Sequence, residues 1–117
     1  MRYMLLIYDR EVDWAKLAEK DKGLLYQEYG AFTEGIKKSG HYKAGDPLEP
    51  TSKAATVRVR NGKTVTTDGP FAETREQLGG YYIVAAKDLA EASSIASRIP
   101  TSRTGSIEVR PILEMAG

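Results

Sequence analysis

Two segments far apart in the chain restrict its possible folds more than anything else in it. Tyr3, Leu5 and Ile7 alternate with Met4, Leu6 and Tyr8, and much later Tyr81, Ile83 and Ala85 alternate with Tyr82, Val84 and Ala86. Alternation of period two is strand geometry, and here both sets are apolar, so neither face of either strand belongs in water. Both strands are expected in the middle of a sheet that is covered on each side.

The remaining elements are read from period and punctuation. Leu25, Tyr29, Phe32 and Ile36 recur at helical spacing and define one face of a helix from about Asp21 to Ser39, with Gly40 as its stop. Val12 to Glu19, containing Trp14 and Leu17, reads as a short preceding helix or, alternatively, an ordered loop with its indole anchored in the core. His41 to Leu48 reads as an edge strand, because Pro47 and Pro50 exclude deep pairing. Ala55 to Arg60 and Lys63 to Thr67 flank Asn61-Gly62, two residues that tolerate positive φ and so mark a hairpin. Thr, Arg and Lys dominate that hairpin beside Val57, Val59 and Val65, the composition of a projecting arm. Asp88 is an N-cap for a helix from Leu89 to Ile99, with Leu89, Ala92, Ala96 and Ile99 as its apolar face and Pro100 after it. Ile107, Val109 and Pro111 face inward on a last strand.

The order strand, helix, strand, hairpin, strand, helix, strand is a ferredoxin-like βαββαβ pattern with an inserted β-hairpin: an α+β fold, antiparallel, with both helices on one face of the sheet. The other face would then carry Met4, Leu6 and Tyr8 uncovered, at a cost of about 25 cal/mol for each Å² of apolar surface. A homodimer built sheet to sheet covers it most economically, and the alternative is a hairpin folded back over its own sheet.

Composition excludes several classes. The 117 residues, 41% hydrophobic and 28% charged, read as one soluble domain spanning 1–117. With no cysteine there is no disulfide or thiol chemistry. The apolar start meets Asp9, Arg10 and Glu11 too soon for a signal-peptide core or a membrane span, which leads to the expectation of a cytoplasmic protein. A formal charge of +1 from interspersed residues gives no footprint for nucleic acid or for a membrane surface.

The run Asp68-Gly69-Pro70-Phe71-Ala72-Glu73-Thr74-Arg75-Glu76-Gln77-Leu78-Gly79-Gly80 resembles the signature of the YCII-related (DGPF) family. The resemblance also takes in Met1 to Asp9, Tyr29 to Gly45, the hairpin from Thr56 onward, and Gly105 to Ile112. It implies a ferredoxin-like fold, an assembly of the dimeric α/β-barrel type, and a family largely without assigned activity. Relatives encoded beside alternative sigma factors imply a regulatory or protein-interaction module as the alternative to ligand binding. Members of the wider group proposed to use a His–Asp pair imply acid/base chemistry. This chain departs from them, since its single histidine is His41 and the cleft-facing helix position resembles Tyr29.

Within the signature, Asp68 is either the acceptor of an Asx turn or a general base, and outside it His41 is a surface or strand-edge histidine or, alternatively, a catalytic acid/base. Gly69 supplies a conformation other residues avoid and Pro70 fixes the exit. Phe71 is a core plug under the loop or, alternatively, a stacking platform. Glu73, Arg75 and Glu76 form a surface ion-pair cluster, or else Arg75 grips a carboxylate or phosphate bidentately. Thr74 and Gln77 have capping-box spacing, which predicts a helical turn over Ala72 to Leu78. Gly79 and Gly80 allow close backbone packing as the strand begins. Tyr8, Tyr29 and Tyr81 are core residues whose hydroxyls reach polar partners or, with Phe71, Glu73 and Arg75, the candidate ligand contacts, where converging tyrosine hydroxyls would suit an enol, phenol or carboxylate. No metal and no cofactor is expected, because one histidine without cysteine cannot supply the usual nitrogen and sulfur ligands.

Overall fold

The sheet takes the strand order β2-β5-β1-β6, with every neighbouring pair antiparallel. A computed structural model describes residues 1–12 and 16–115. Along the chain the elements are β1 (Arg2–Asp9), α1 (Glu19–Lys38), β2 (Tyr42–Pro47), β3 (Ala55–Arg60), β4 (Lys63–Asp68), β5 (Gln77–Ala85), α2 (Leu89–Ala96) and β6 (Ser106–Pro111). Short 3₁₀ turns at Thr51–Lys53 and Pro100–Arg103 precede β3 and β6. The fold is the expected α+β, ferredoxin-like one: the two strands that are apolar throughout, β1 and β5, are central, and β2, which ends at Pro47, is an edge. The helix expected from Val12 to Glu19 rests on Trp14, which lies outside the described residues.

Alternation along β1 and β5 sorts their side chains between two unlike faces. Tyr3, Leu5, Ile7, Tyr82 and Val84 are buried against Phe32 and Ile36 of α1 and Ala92, Ile95 and Ala96 of α2. Leu5, Ile36 and Val84 are wholly excluded from water. Phe32 meets Tyr82 edge-on at 5.1 Å between ring centroids, and the Tyr82 hydroxyl shares a 2.8 Å hydrogen bond with Thr33 Oγ1. α1 stops where Gly40 turns left-handed at φ +81°, with His41 N–H returning to Ile36 O and Gly40 N–H to Lys37 O. Asp88 caps α2 by accepting the Glu91 N–H at 2.8 Å. Two positions expected to face inward are exposed: Leu89, in the first turn of α2, where Ile95 fills the core in its place, and Pro111, at the end of β6. α2 ends at Ala96, and Ile99 reaches the core from the turn that follows.

On the second face Met4, Leu6, Tyr8, Leu78, Tyr81 and Ile83 remain half-exposed. The arm does not fold back over them. β3 and β4 pair only with each other, around a turn whose Asn61 and Gly62 have φ of +52° and +74°. The molecule measures 48 × 47 × 19 Å. A thickness of 19 Å holds one sheet and one helical layer, whereas another layer over the open face would add about 10 Å. The arm therefore extends beside the slab. Its strands are exposed almost throughout, including Val57 and Val59 at about 60%. This form leaves 8353 Å² of accessible surface for 12.9 kDa, where a compact monomer of that mass exposes about 6300 Å².

Candidate functional site

At the end of β1, Asp9 lies opposite Gln77, the first residue of β5, so Arg10 and the tail of the signature loop leave the sheet side by side. Asp9 is held on both carboxylate oxygens: the Arg10 N–H donates to one at 2.8 Å and the Thr104 hydroxyl to the other at 2.8 Å. The turn carrying Thr104 is pressed against the same strand end. A side chain at Gly105 would place its Cβ 2.1 Å from the Tyr8 carbonyl oxygen, so only glycine admits this approach. From α1, the half-buried Tyr29 hydroxyl bonds Thr101 Oγ1, and Glu28 pairs with Arg103, whose Nε also donates to the Pro100 carbonyl at 3.1 Å. From β6, the Ser106 hydroxyl donates to Glu76 at 2.8 Å.

These elements border an open cleft of about 720 Å³, lined by Asp9, Arg10, Leu25, Arg75 and Thr101 among others, a volume within the range of small-molecule sites. Its acids and one of its arginines are already engaged, but the guanidinium groups of Arg10 and Arg75 have no hydrogen-bond or ion-pair partner among the described residues. Burial pushes the Tyr29 hydroxyl above the usual phenol range, against the lowering effect of its Thr101 bond, so it is neutral at physiological pH. The cleft thus offers two fork-shaped cations beside the apolar Leu25, a combination suited to an organic anion.

A second hollow, about 700 Å³, opens on the uncovered side of the sheet. Tyr8 and Leu78, opposite each other in the ladder, form its floor, with Leu48, Phe71 and Val57 around it. Glu11 fixes this wall by accepting the Thr51 N–H at 3.2 Å, and Gly69, at φ +94°, donates to the Ala54 carbonyl at 2.7 Å.

The family model described as the YCII-related domain matches residues 1–116. The chain belongs to the YCII-related family. An uncharacterized protein of Rhizobium meliloti is 34% identical over 114 residues, which is 96% of this chain and 92% of that one. Among solved structures, the YCII-related chain is similar to 5-chloro-2-hydroxyhydroquinone dehydrochlorinase, TftG, of Burkholderia phenoliruptrix, solved in complex with 2,5-dihydroxybenzoquinone. The TM-score is 0.53 at 14% identity, covering 98% of this chain and 96% of that one, a likeness of fold.

The residues singled out in the YCII-related sequence do not converge on one place. Arg75 borders the first cleft, and Tyr29 holds the turn that lines it. Tyr8 and Phe71 line the second hollow, and Phe71 is 79% exposed rather than a plug under the loop. Tyr81 lies on the open face and donates to Asp46 at 2.8 Å. Each of the hydroxyls of Tyr29, Tyr81 and Tyr82 has its own separate partner. Asp68 ends β4 exposed, opposite Ala55, with no described residue donating to its carboxylate, and Glu73 is exposed between the two hollows.

His41 lies at the other end of the sheet. Its carbonyl accepts the Ala85 N–H, a full length of β5 from Gln77, about 26 Å at strand rise. Its ring is shared between Ser39 Oγ at 2.6 Å and Glu91 at 3.3 Å. The helical turn expected over Ala72 to Leu78 is absent. The same spacing is used otherwise, with Thr74 Oγ1 donating to the Glu76 carbonyl at 2.5 Å and Gln77 Nε2 to the Thr74 carbonyl at 2.7 Å, which steers the chain straight into β5. Asp9, Arg10 and Thr101 were not among the expected contacts. The polar pair Asp9-Arg10 that closes the apolar run of β1 was the available signal for the first two. Among the described residues no group of three or more acids or histidines could hold a metal ion, and no helix is long and apolar enough to cross a membrane.

Proposed function

We propose that the protein is a homodimer, assembled sheet to sheet, that binds a small carboxylate-bearing ligand in the cleft between β1, α1 and the signature loop. The observation that carries the ligand is the pair of guanidinium groups, Arg10 and Arg75, that line one open cleft without a partner among the described residues. A guanidinium grips a carboxylate bidentately, and Leu25 gives the same cleft an apolar wall for a ring or short chain. The TftG fold, solved with an oxygenated ring compound, supports this size class. Surface arithmetic supports the dimer: the excess of about 2000 Å² over a compact monomer exceeds the roughly 800 Å² that each partner contributes to a standard interface. In this reading Asp68 is a turn residue of the loop and His41 has no part in the site.

Thermal denaturation with benzoate, salicylate and inorganic phosphate tests it. A ligand present at 100 times its dissociation constant stabilises by about 2.7 kcal/mol. At least one aromatic carboxylate should raise the melting temperature of the native protein, and Arg75→Ala should lose that shift while Asp68→Asn keeps it. Equal shifts in native protein and Arg75→Ala, or none with any probe, would remove the assignment. The exposed valines of the arm favour a second reading, an interaction module, in which these substitutions leave every ligand response flat.

A further inference from the structure

The arm is amphipathic, and its apolar face is turned toward the hollow that opens on the uncovered side of the sheet. Val57 stands opposite Thr66 and Val59 opposite Thr64, so both valines share one face with Ala55. Ala55 and Val57 line the hollow. The opposite face bears Arg58, Arg60 and Lys63 around Val65. Isolated two-stranded hairpins are marginal in water, and this one presents its valines to solvent beside a still more exposed Phe71. Because the arm extends past the edge of a 19 Å slab instead of lying over it, it overhangs whatever stacks on the open face.

We infer that the arm is a clasp: in the sheet-to-sheet dimer, Val57, Val59 and Phe71 of each protomer close on a second copy of this chain, which fills the hollow over Tyr8 and Leu78. This rests on the dimer proposed above and adds the arm to its interface. A second copy is the occupant because hollow and open face are one continuous surface. Tyr8 and Leu78 belong to both, so whatever covers the sheet also reaches the arm. The surface excess is also larger than an average interface needs, which leaves area for the arms as well as the sheet.

Sedimentation of the native protein and of four single variants separates the claims, with circular dichroism confirming that each remains folded. Leu6→Asp, on the sheet face, should dissociate the dimer. Val57→Asp and Val59→Asp should raise its dissociation constant at least 10-fold, and Val65→Asp, on the basic face, should change it less than threefold. Since the chain contains no cysteine, Val59→Cys carries a single spin label, and a resolved label-to-label distance that vanishes in the Leu6→Asp background would be the matching signature. A dimer that Leu6→Asp dissociates but Val57→Asp and Val59→Asp leave intact would overturn the clasp and keep the sheet interface. A native protein that sediments as a monomer would overturn both. Equal weakening by all three valine variants would overturn the claim that one face of the arm docks. Finally, 8-anilinonaphthalenesulfonate binding that disappears in Val57→Asp, with the dimer unaffected, would give the hollow to a small apolar ligand instead of a second copy.

Discussion

The four-stranded sheet and the arm are both antiparallel and rich in β-branched and aromatic residues, yet they are held together by different means. In the sheet, β1 and β5 each have neighbours on both edges and helices on one face, and their inward side chains are dry. In the arm each strand has one neighbour and no layer above or below. What shapes the arm is local: two left-handed residues at its tip, and at its base the Thr56 hydroxyl donating to the Gly69 carbonyl at 2.9 Å. Strand propensity is thus a statement about surroundings, since the same valine contributes a core in β5 and almost nothing in β3 until something covers it.

The contrast can be broken most directly in the core. Leu5→Ala or Ile36→Ala should cost about 2–5 kcal/mol in urea denaturation, through lost transfer energy and an unfilled cavity. A loss below 1 kcal/mol at both positions would mean that the two regions are less different than their burial implies. Next comes Gly105→Ala, whose methyl group would collide with the Tyr8 carbonyl. A cost of about 1–3 kcal/mol is expected, accompanied by weaker ligand response because the Thr101–Thr104 turn must retreat from the cleft.

Alkaline pH gives a smaller effect confined to the sheet side. Tyr29 and Tyr82 are both raised above their ordinary value of 10.0, chiefly by burial. A raised group holds its proton more firmly when folded, so its contribution is complete below pH 10 and fades as pH climbs from there through the folded value. Melting temperature should therefore fall above pH 10, and Tyr29→Phe should flatten part of that fall; an unchanged slope would show that Tyr29 is not buried as described. The smallest change belongs to the arm: in the monomeric Leu6→Asp background, Val59→Ala should alter stability by no more than about 0.5 kcal/mol. A larger loss there would show that the arm is held by its own protomer.

Much of this comparison was legible from the residues. Double-sided apolarity located the central strands, the 25-29-32-36 spacing located the buried face of α1, and Asn61-Gly62 located the tip of the arm. Errors arose where one local pattern serves two geometries. Thr74 and Gln77 have the spacing of a capping box, but the same reach closes a turn in extended chain. Leu89 continues a helical stripe on paper, but at the first turn of α2 it points past the core. Phe71 looked like a plug because apolar loop residues usually are, and nothing in its neighbours reveals that the loop carries it outward.

Backbone stereochemistry and side-chain periodicity act over a few residues, and so the elements, their caps and the left-handed glycines at 40, 62 and 69 follow from the chain read in order. Which residues meet is governed by strand direction and register, quantities that depend on pairings between distant segments. The ladder set Asp9 opposite Gln77 and so brought Arg10 beside Arg75. The same ladder carried His41 to the far end of β5, away from the signature it was expected to join. Folding also left one face of the sheet without a cover inside the chain, because the arm that could have supplied it is oriented outward by its own base.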